Sequence, residues 1–202
     1  MTAEPPATSR EDYADRLLRL ETKGWKRVLD VQRPYRWNLQ RQQLGRTLDV
    51  GCGIGRNLAA LSADSLGVDH NAQSIALARQ RGYHAVTVAE FTADPPAPGS
   101  FDSMLLAHVV EHMTVAEAEE LVQFYLPYLC PGGRVMLICP QRRGFATDAT
   151  HVEFFDLPAL RALARSLGLV VTREYSFPLP ELAGGIFAYN EYCLIAVRPG
   201  NR

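Results

Sequence analysis

A doubly wound α/β domain built on a mostly parallel, seven-stranded sheet is the fold the sequence predicts, and three observations carry it. Short apolar runs alternate with helical patterns from about residue 46 onward, which is how parallel strands covered on both faces read. The first run, Leu48-Asp-Val50, leads directly into Gly51, Gly53 and Gly55, the strand–turn–helix entry of a nucleotide-type ligand site. Asp69 then closes the second run 20 residues after Asp49, the spacing at which such folds hold a ribose.

The elements follow in order. Residues 1–10 form a lead-in with the character of a disordered segment. A helical pattern covers 11–43, with Trp25, Val28 and Leu29 on one face and an interruption at Pro34. Residues 46–50 are a strand, and a helix passes through Leu58–Leu61 after the glycine turn. Residues 65–68 are a second strand, and Asn71 caps a helix over 72–81. A third strand covers 85–88 and a fourth 103–107. A helix from about 116 to 129 stops at Pro131-Gly-Gly133, and a fifth strand fills 134–139. A helix over 158–167 ends at Gly168 and is followed by strands at 169–175 and 192–197. Because a loop rather than a helix joins those last two, the final strand enters antiparallel. No repeat and no second domain is visible, so 1–202 reads as one domain with its sheet and helices in 45–202.

Bulk properties narrow the function. The chain is 47% apolar and 21% charged with a formal net charge of −1, which gives no electrostatic case for nucleic acid. Four cysteines, Cys52, Cys130, Cys139 and Cys193, lack any CxxC spacing and read as small hydrophobes of a reducing compartment. No apolar run approaches the ~20 residues that span a bilayer, and the first residues lack a signal-peptide pattern. A cytoplasmic protein is expected, with a small-molecule or oligosaccharide substrate and no membrane partner.

A glycine triad alone is a common strand–helix turn. Asp49 inside the first strand, Asp69 after the second and Glu90 after the third make it specific, together with Phe101-Asp102 and Pro131-Gly-Gly133 in order. On these residues the chain resembles class I S-adenosylmethionine (SAM)-dependent methyltransferases over about 45–137, with a looser match to the end. The turn is spaced GxGxG, not the GxGxxG of dinucleotide folds. The resemblance implies SAM as cofactor, with Asp49, Gly51 and Gly53 around its methionine part. It further implies Asp69 and His70 at the ribose, Glu90 and Phe91 near adenine, and Ala107 at the end of the fourth strand.

The acceptor must be met beyond that strand. Alkylation at a sulfonium is an in-line displacement, so the enzyme aligns the acceptor and removes its proton. His108, Glu111 and His112 lie at i, i+3 and i+4 and share a face if the segment is helical. His151 is a fourth candidate. His108 and His151 are the expected bases. Glu111, His112 and His151 are the expected ligands of Mg²⁺ or another divalent ion that acidifies a hydroxyl. This set resembles that of small-RNA 3′-end and, in part, ubiquinone-pathway methyltransferases, which carry Glu where this chain has His108. The plainer reading is that Glu111-His112 caps and orients the segment.

Residues 148–155, with 177–180 and 187–191, resemble the substrate loops of bacterial methyltransferases that act on sugars. The resemblance implies transfer to a sugar hydroxyl, a mannose-type glycan among the acceptors. Trp25, Tyr35, Trp37 and Tyr189 offer stacking platforms, and Asn190 offers amide hydrogen bonds. Methylation of a phenol, quinone or natural product is the alternative. RNA 2′-hydroxyl methylation is weaker for want of a basic stripe, and a cofactor-binding regulator without chemistry is disfavoured by the polar His108 and Glu111.

Overall fold

The structure is a computed structural model and describes residues 32–200. The expected lead-in, the first part of the helical region and Trp25 lie outside the described residues. The first described element is α1, Arg33–Gln40. Pro34 does not interrupt it but sits in its first turn, where the missing N–H has no intrahelical partner to lose.

One sheet of seven strands has the order β3-β2-β1-β4-β5-β7-β6. The strands are β1 (Thr47–Val50), β2 (Leu66–Asp69), β3 (Ala85–Thr87), β4 (Phe101–Ala107), β5 (Leu129–Pro140), β6 (Val170–Phe177) and β7 (Glu191–Val197). The first five pair in parallel and β7 is antiparallel to both β5 and β6, as its loop connection requires. The order reverses between β1 and β4, and the crevice beyond their C-terminal ends is where such sheets bind ligands.

Successive side chains in a strand face opposite sides of the sheet, and the core divides accordingly. On one side Met104, Leu106, Val135 and Leu137 pack with Val122 of α4 (Val115–Tyr125) and with Leu160 and Leu163 of α6 (Leu157–Ser166). On the other side Leu105, Met136 and Ile138 pack with Leu39 of α1. All four residues of β1 are buried. The remaining helices are α2 (Ala72–Gln80), α3 (Val88–Ala93) and α5 (Arg142–Phe145). Asn71 caps α2 as expected, its side chain accepting from Ser74 N–H.

Three local differences matter. The helix expected after the glycine turn is a single 3₁₀ turn, Leu58–Ala60. The third strand ends one residue early because Thr87 and Glu90 form a reciprocal capping box that starts α3. Residues 110–112 make a 3₁₀ turn rather than an α-helix. Cys52, Cys139 and Cys193 are buried and all four cysteines are free thiols. Among the described residues no helix is long and apolar enough to cross a membrane.

Candidate functional site

The glycine turn is built from β1 outward. Gly51 and Cys52 both donate to the Val68 carbonyl, at 2.8 and 3.1 Å, which folds the chain back over β2. Gly51 adopts φ +75°, and a Cβ there would lie 2.5 Å from Val109 Cγ2. Only glycine satisfies both the backbone and the space. Asp69 fixes the other side of the turn: its Oδ2 accepts from Gly53 N–H and its Oδ1 from Asn71 N–H, each at 2.8 Å. Each oxygen keeps a second lone pair. His70 stands beside it with Nδ1 3.6 Å from Asp69 Oδ1.

Asp49 lies under the turn and is fully buried. Asn57 donates to its Oδ1 at 3.5 Å, while Oδ2 has no hydrogen-bond partner. Burial raises its pKa to about 7, with the hydrogen bond from Asn57 opposing and Asp69 adding to the rise. A buried, unsatisfied carboxylate beside a backbone cradle fits a ligand that brings positive charge.

The acids beyond β3 are arranged otherwise than expected. Glu90 Oε2 accepts from Thr87 N–H, Thr87 Oγ1 and Arg79 Nη2 at 2.7, 3.0 and 2.7 Å. Those bonds, with the backbone N–H of Thr87 foremost, lower its pKa to about 2. Phe91 is buried in the core against Tyr125 and Tyr128, so its ring belongs to the packing.

Beyond β4 the chain turns sharply at His108, whose φ is +59°, a conformation that costs a β-carbon-bearing residue about 1 kcal/mol or more. This turn sets the imidazole between two carboxylates. Nε2 is 2.8 Å from Glu191 Oε1, and Nδ1 is 3.2 Å from Glu111 Oε1. Burial opposes protonation, but Glu111 and Glu191 outweigh it and raise the pKa to about 10. Both ring nitrogens of His108 thus lie against carboxylates, which leaves neither turned toward an acceptor in this arrangement, where the sequence led to a base at this position. Glu191 was missed because it stands 83 residues away in sequence and no local pattern links it to His108.

Glu111, His112 and His151 do come together, with donor atoms all within 4.8 Å of one another. His112 Nδ1 is directed at Thr150 O and Oγ1 at 3.2 and 3.1 Å, and His151 Nδ1 at Phe145 O at 2.7 Å. Carbonyl bonds at Nδ1 fix the tautomer that leaves each Nε2 with a lone pair, the usual support of a ligating histidine. Glu111 is fully buried and neither of its oxygens makes a well-aligned hydrogen bond. The trio fits a divalent ion. It stands behind His108 and does not line the cavity described next, so His151 is not placed to act on an acceptor there.

A cavity of about 330 Å³ runs from Gly51 and Gly53 past Ala107 to His108, Tyr35 and Glu191. Tyr35 donates its hydroxyl to Tyr189 O at 2.6 Å, joining α1 to the segment before β7. Of the expected carbohydrate contacts, Trp37 and Tyr189 are half exposed. Asn190 is not available: it is fully buried, and its amide is spent on Gln141, Ser176, Leu179 and Pro180.

Residues 48–137 match the family model of a methyltransferase domain. No curated protein sequence matches the chain. Among solved structures it is similar to a SAM-dependent methyltransferase from Archaeoglobus fulgidus (TM-score 0.63, 18% identity, 85% of this chain and 99% of that one). It is also similar to a putative methyltransferase of Haloferax volcanii, solved with the Trm112 activator (0.72, 15%, 96% and 97%). A third is the magnesium protoporphyrin IX methyltransferase of Synechocystis with bound SAH (0.61, 17%, 84% and 85%). At these identities the likeness establishes a Rossmann-like methyltransferase fold, and the comparisons leave the acceptor open.

Proposed function

We infer that this chain is a SAM-dependent methyltransferase, and we propose that its acceptor is a hydroxyl of a sugar or oligosaccharide. The observation that carries the reading is the single cavity that joins the glycine turn to the polar end formed by Tyr35, His108 and Glu191. SAM supplies a methyl group already activated on a sulfonium. Gly51 and Gly53 offer close main-chain approach to its methionine part, Asp49 a negative charge, and Asp69 lone pairs for the ribose hydroxyls. At the other end Tyr35 and Tyr189 give the mixed aromatic and polar surface that sugars take up. A divalent ion at Glu111, His112 and His151 would supply a positive charge behind His108. Two imidazoles with one carboxylate suit a first-row transition ion better than Mg²⁺, which favours oxygen donors.

Incubation with methyl-labelled SAM and a mannose-type oligosaccharide tests the reading. Label is expected in the sugar, with turnover reduced by chelation and restored by Mn²⁺ or Zn²⁺. Label entering only a hydroquinone would move the acceptor to the phenol class. Full turnover in excess EDTA would remove the ion.

Asp49 gives a further expected outcome. Its ionised form attracts cationic SAM, so affinity is expected to rise about tenfold between pH 6 and pH 8. Isothermal titration should show this rise, and Asp49→Asn should flatten it. Stability runs the opposite way. The folded pKa lies above the unfolded value, so the ligand-free protein loses stability as pH climbs from about 4 through about 7. A pH-independent affinity in the parent protein would remove Asp49 from the cofactor site.

A further inference from the structure

We propose that Glu191 is the catalytic base of the methyl transfer, receiving the acceptor's hydroxyl proton on Oε2. The assignment rests on the hydroxyl-acceptor reading above, and it replaces both histidines expected in that role.

Glu191 opens β7 and lies in one row with Pro140 of β5 and Phe177 of β6. Its side chain is one-tenth exposed, and the residue lines the cavity. The main chain around it is held firmly. Gln141 N–H donates to Asn190 O at 2.9 Å, and Gln141 Nε2 donates to Glu191 O at 3.2 Å. The buried Asn190 amide ties the preceding loop to Gln141 and Ser176. Oε1 is held 2.8 Å from His108 Nε2, whereas Oε2 makes no hydrogen bond to a described residue. The carboxylate is thus fixed at one oxygen and open at the other, which is the pre-organisation a proton acceptor needs.

Elimination among the cavity walls leads to the same atom. Arg56 is a cation, and Asn38 and Asn57 carry amides. Cys52 has its pKa raised by burial and then by Asp49 and Asp69. The Tyr35 hydroxyl is likewise raised, by burial and then Glu191, and donates to Tyr189 O. Both ring nitrogens of His108 are engaged by carboxylates, at 3.2 Å from Glu111 and 2.8 Å from Glu191. Glu191 is the one carboxylate among the lining residues. His108 is then a positioning residue: its left-handed backbone and its second carboxylate, Glu111, set Nε2 against Oε1 and leave Oε2 as the oxygen without a partner.

The step balances without a further reactant. The acceptor oxygen bonds to the methyl carbon as the carbon–sulfur bond breaks, and that electron pair stays on sulfur. The hydroxyl proton passes to Oε2, and its later release to solvent restores the carboxylate.

Glu191→Gln keeps an oxygen for His108 and nearly the same shape. It is expected to lower kcat by at least about a hundredfold, the range for losing a general base. Calorimetric SAM affinity and the acceptor KM should stay within about threefold, and the thermal melt should match the parent protein. Glu191→Gly should regain turnover in added formate, a small carboxylate that substitutes for the missing one. Both variants are assayed on a mannose-type oligosaccharide and on hydroquinone. A Glu191→Gln kcat within threefold of the parent value would overturn the base, as would Glu191→Gly deaf to formate while still binding SAM. A parent protein active on hydroquinone alone would refute the sugar acceptor and leave the variants to decide Glu191. A parent protein that binds SAM and methylates neither compound would refute the hydroxyl reading and the base with it.

Discussion

Asp69→Ala is expected to weaken SAM binding at least a hundredfold and to lower the unfolding free energy by about 2–4 kcal/mol. Both effects follow from one carboxylate doing two tasks. It accepts from the main-chain N–H of Gly53 and of Asn71, each at 2.8 Å. It lies at the end of β2, where the ribose reading needs lone pairs. Removing it strands one buried donor and one partly buried donor, at about 1–3 kcal/mol for the buried one and less for the other. It also frees a turn whose glycines gain more conformational entropy than other residues would. Calorimetry with SAM and urea unfolding of the ligand-free protein measure the two parts separately. Binding within tenfold of the parent value would place the ribose elsewhere.

His108→Ala is expected to destabilise the ligand-free, chelator-treated protein at neutral pH by about 2–4 kcal/mol. This is discounted from the roughly 3–5 kcal/mol for breaking a fully buried pair, because the imidazole side chain is 46% exposed. The loss is large because the variant leaves Glu111 and Glu191 facing a site with no cation. The parent protein has its own signature. The folded pKa of His108, about 10, lies above the ordinary value of 6.5. Its contribution is therefore complete below about pH 6.5 and is lost as pH rises through about 10. Urea unfolding across that window should slope downward in the parent protein, with that slope missing from His108→Ala. Equal slopes in both would mean that the carboxylates do not hold the imidazole protonated.

The fold was legible in the sequence where the information is local. The apolar run of β1, the glycine turn after it and Asp69 at β2 each declare themselves locally, as do the loop-joined final strands. The conformation of the turn was legible for the same reason, since Asp49, Gly51, Gly53 and Asp69 belong to one strand–turn–strand unit. Glu90 shows a local signal read too simply: Thr87-Val-Ala-Glu90 is a capping-box sequence, and its side chain serves the helix start. The acceptor side was not legible. The protonation of His108 depends on Glu191, and whether Asn190 is free depends on Gln141 and Ser176 from two other strand ends. Periodicity carries no information about such partners. The clustering of Glu111 and His112 with His151 was legible only in part, because Thr150 and Phe145 supply the carbonyls that orient the two rings.

The shared row of Pro140, Glu191 and Phe177 has a consequence for how this protein can change. The segments that follow β5 and β6 both leave the sheet from that row, and the second returns to it at Glu191. Residues 178–190 are thus clamped at both ends by sheet pairing, and from within by the Asn190 amide on Gln141 and Ser176. A segment grafted between these clamps is expected to leave the strand register unchanged only where it keeps Asn190 and a glycine at 184, whose Cβ would run into Gln141. The exposed stretch at Leu182 and Ile186 is then where this loop has room to vary.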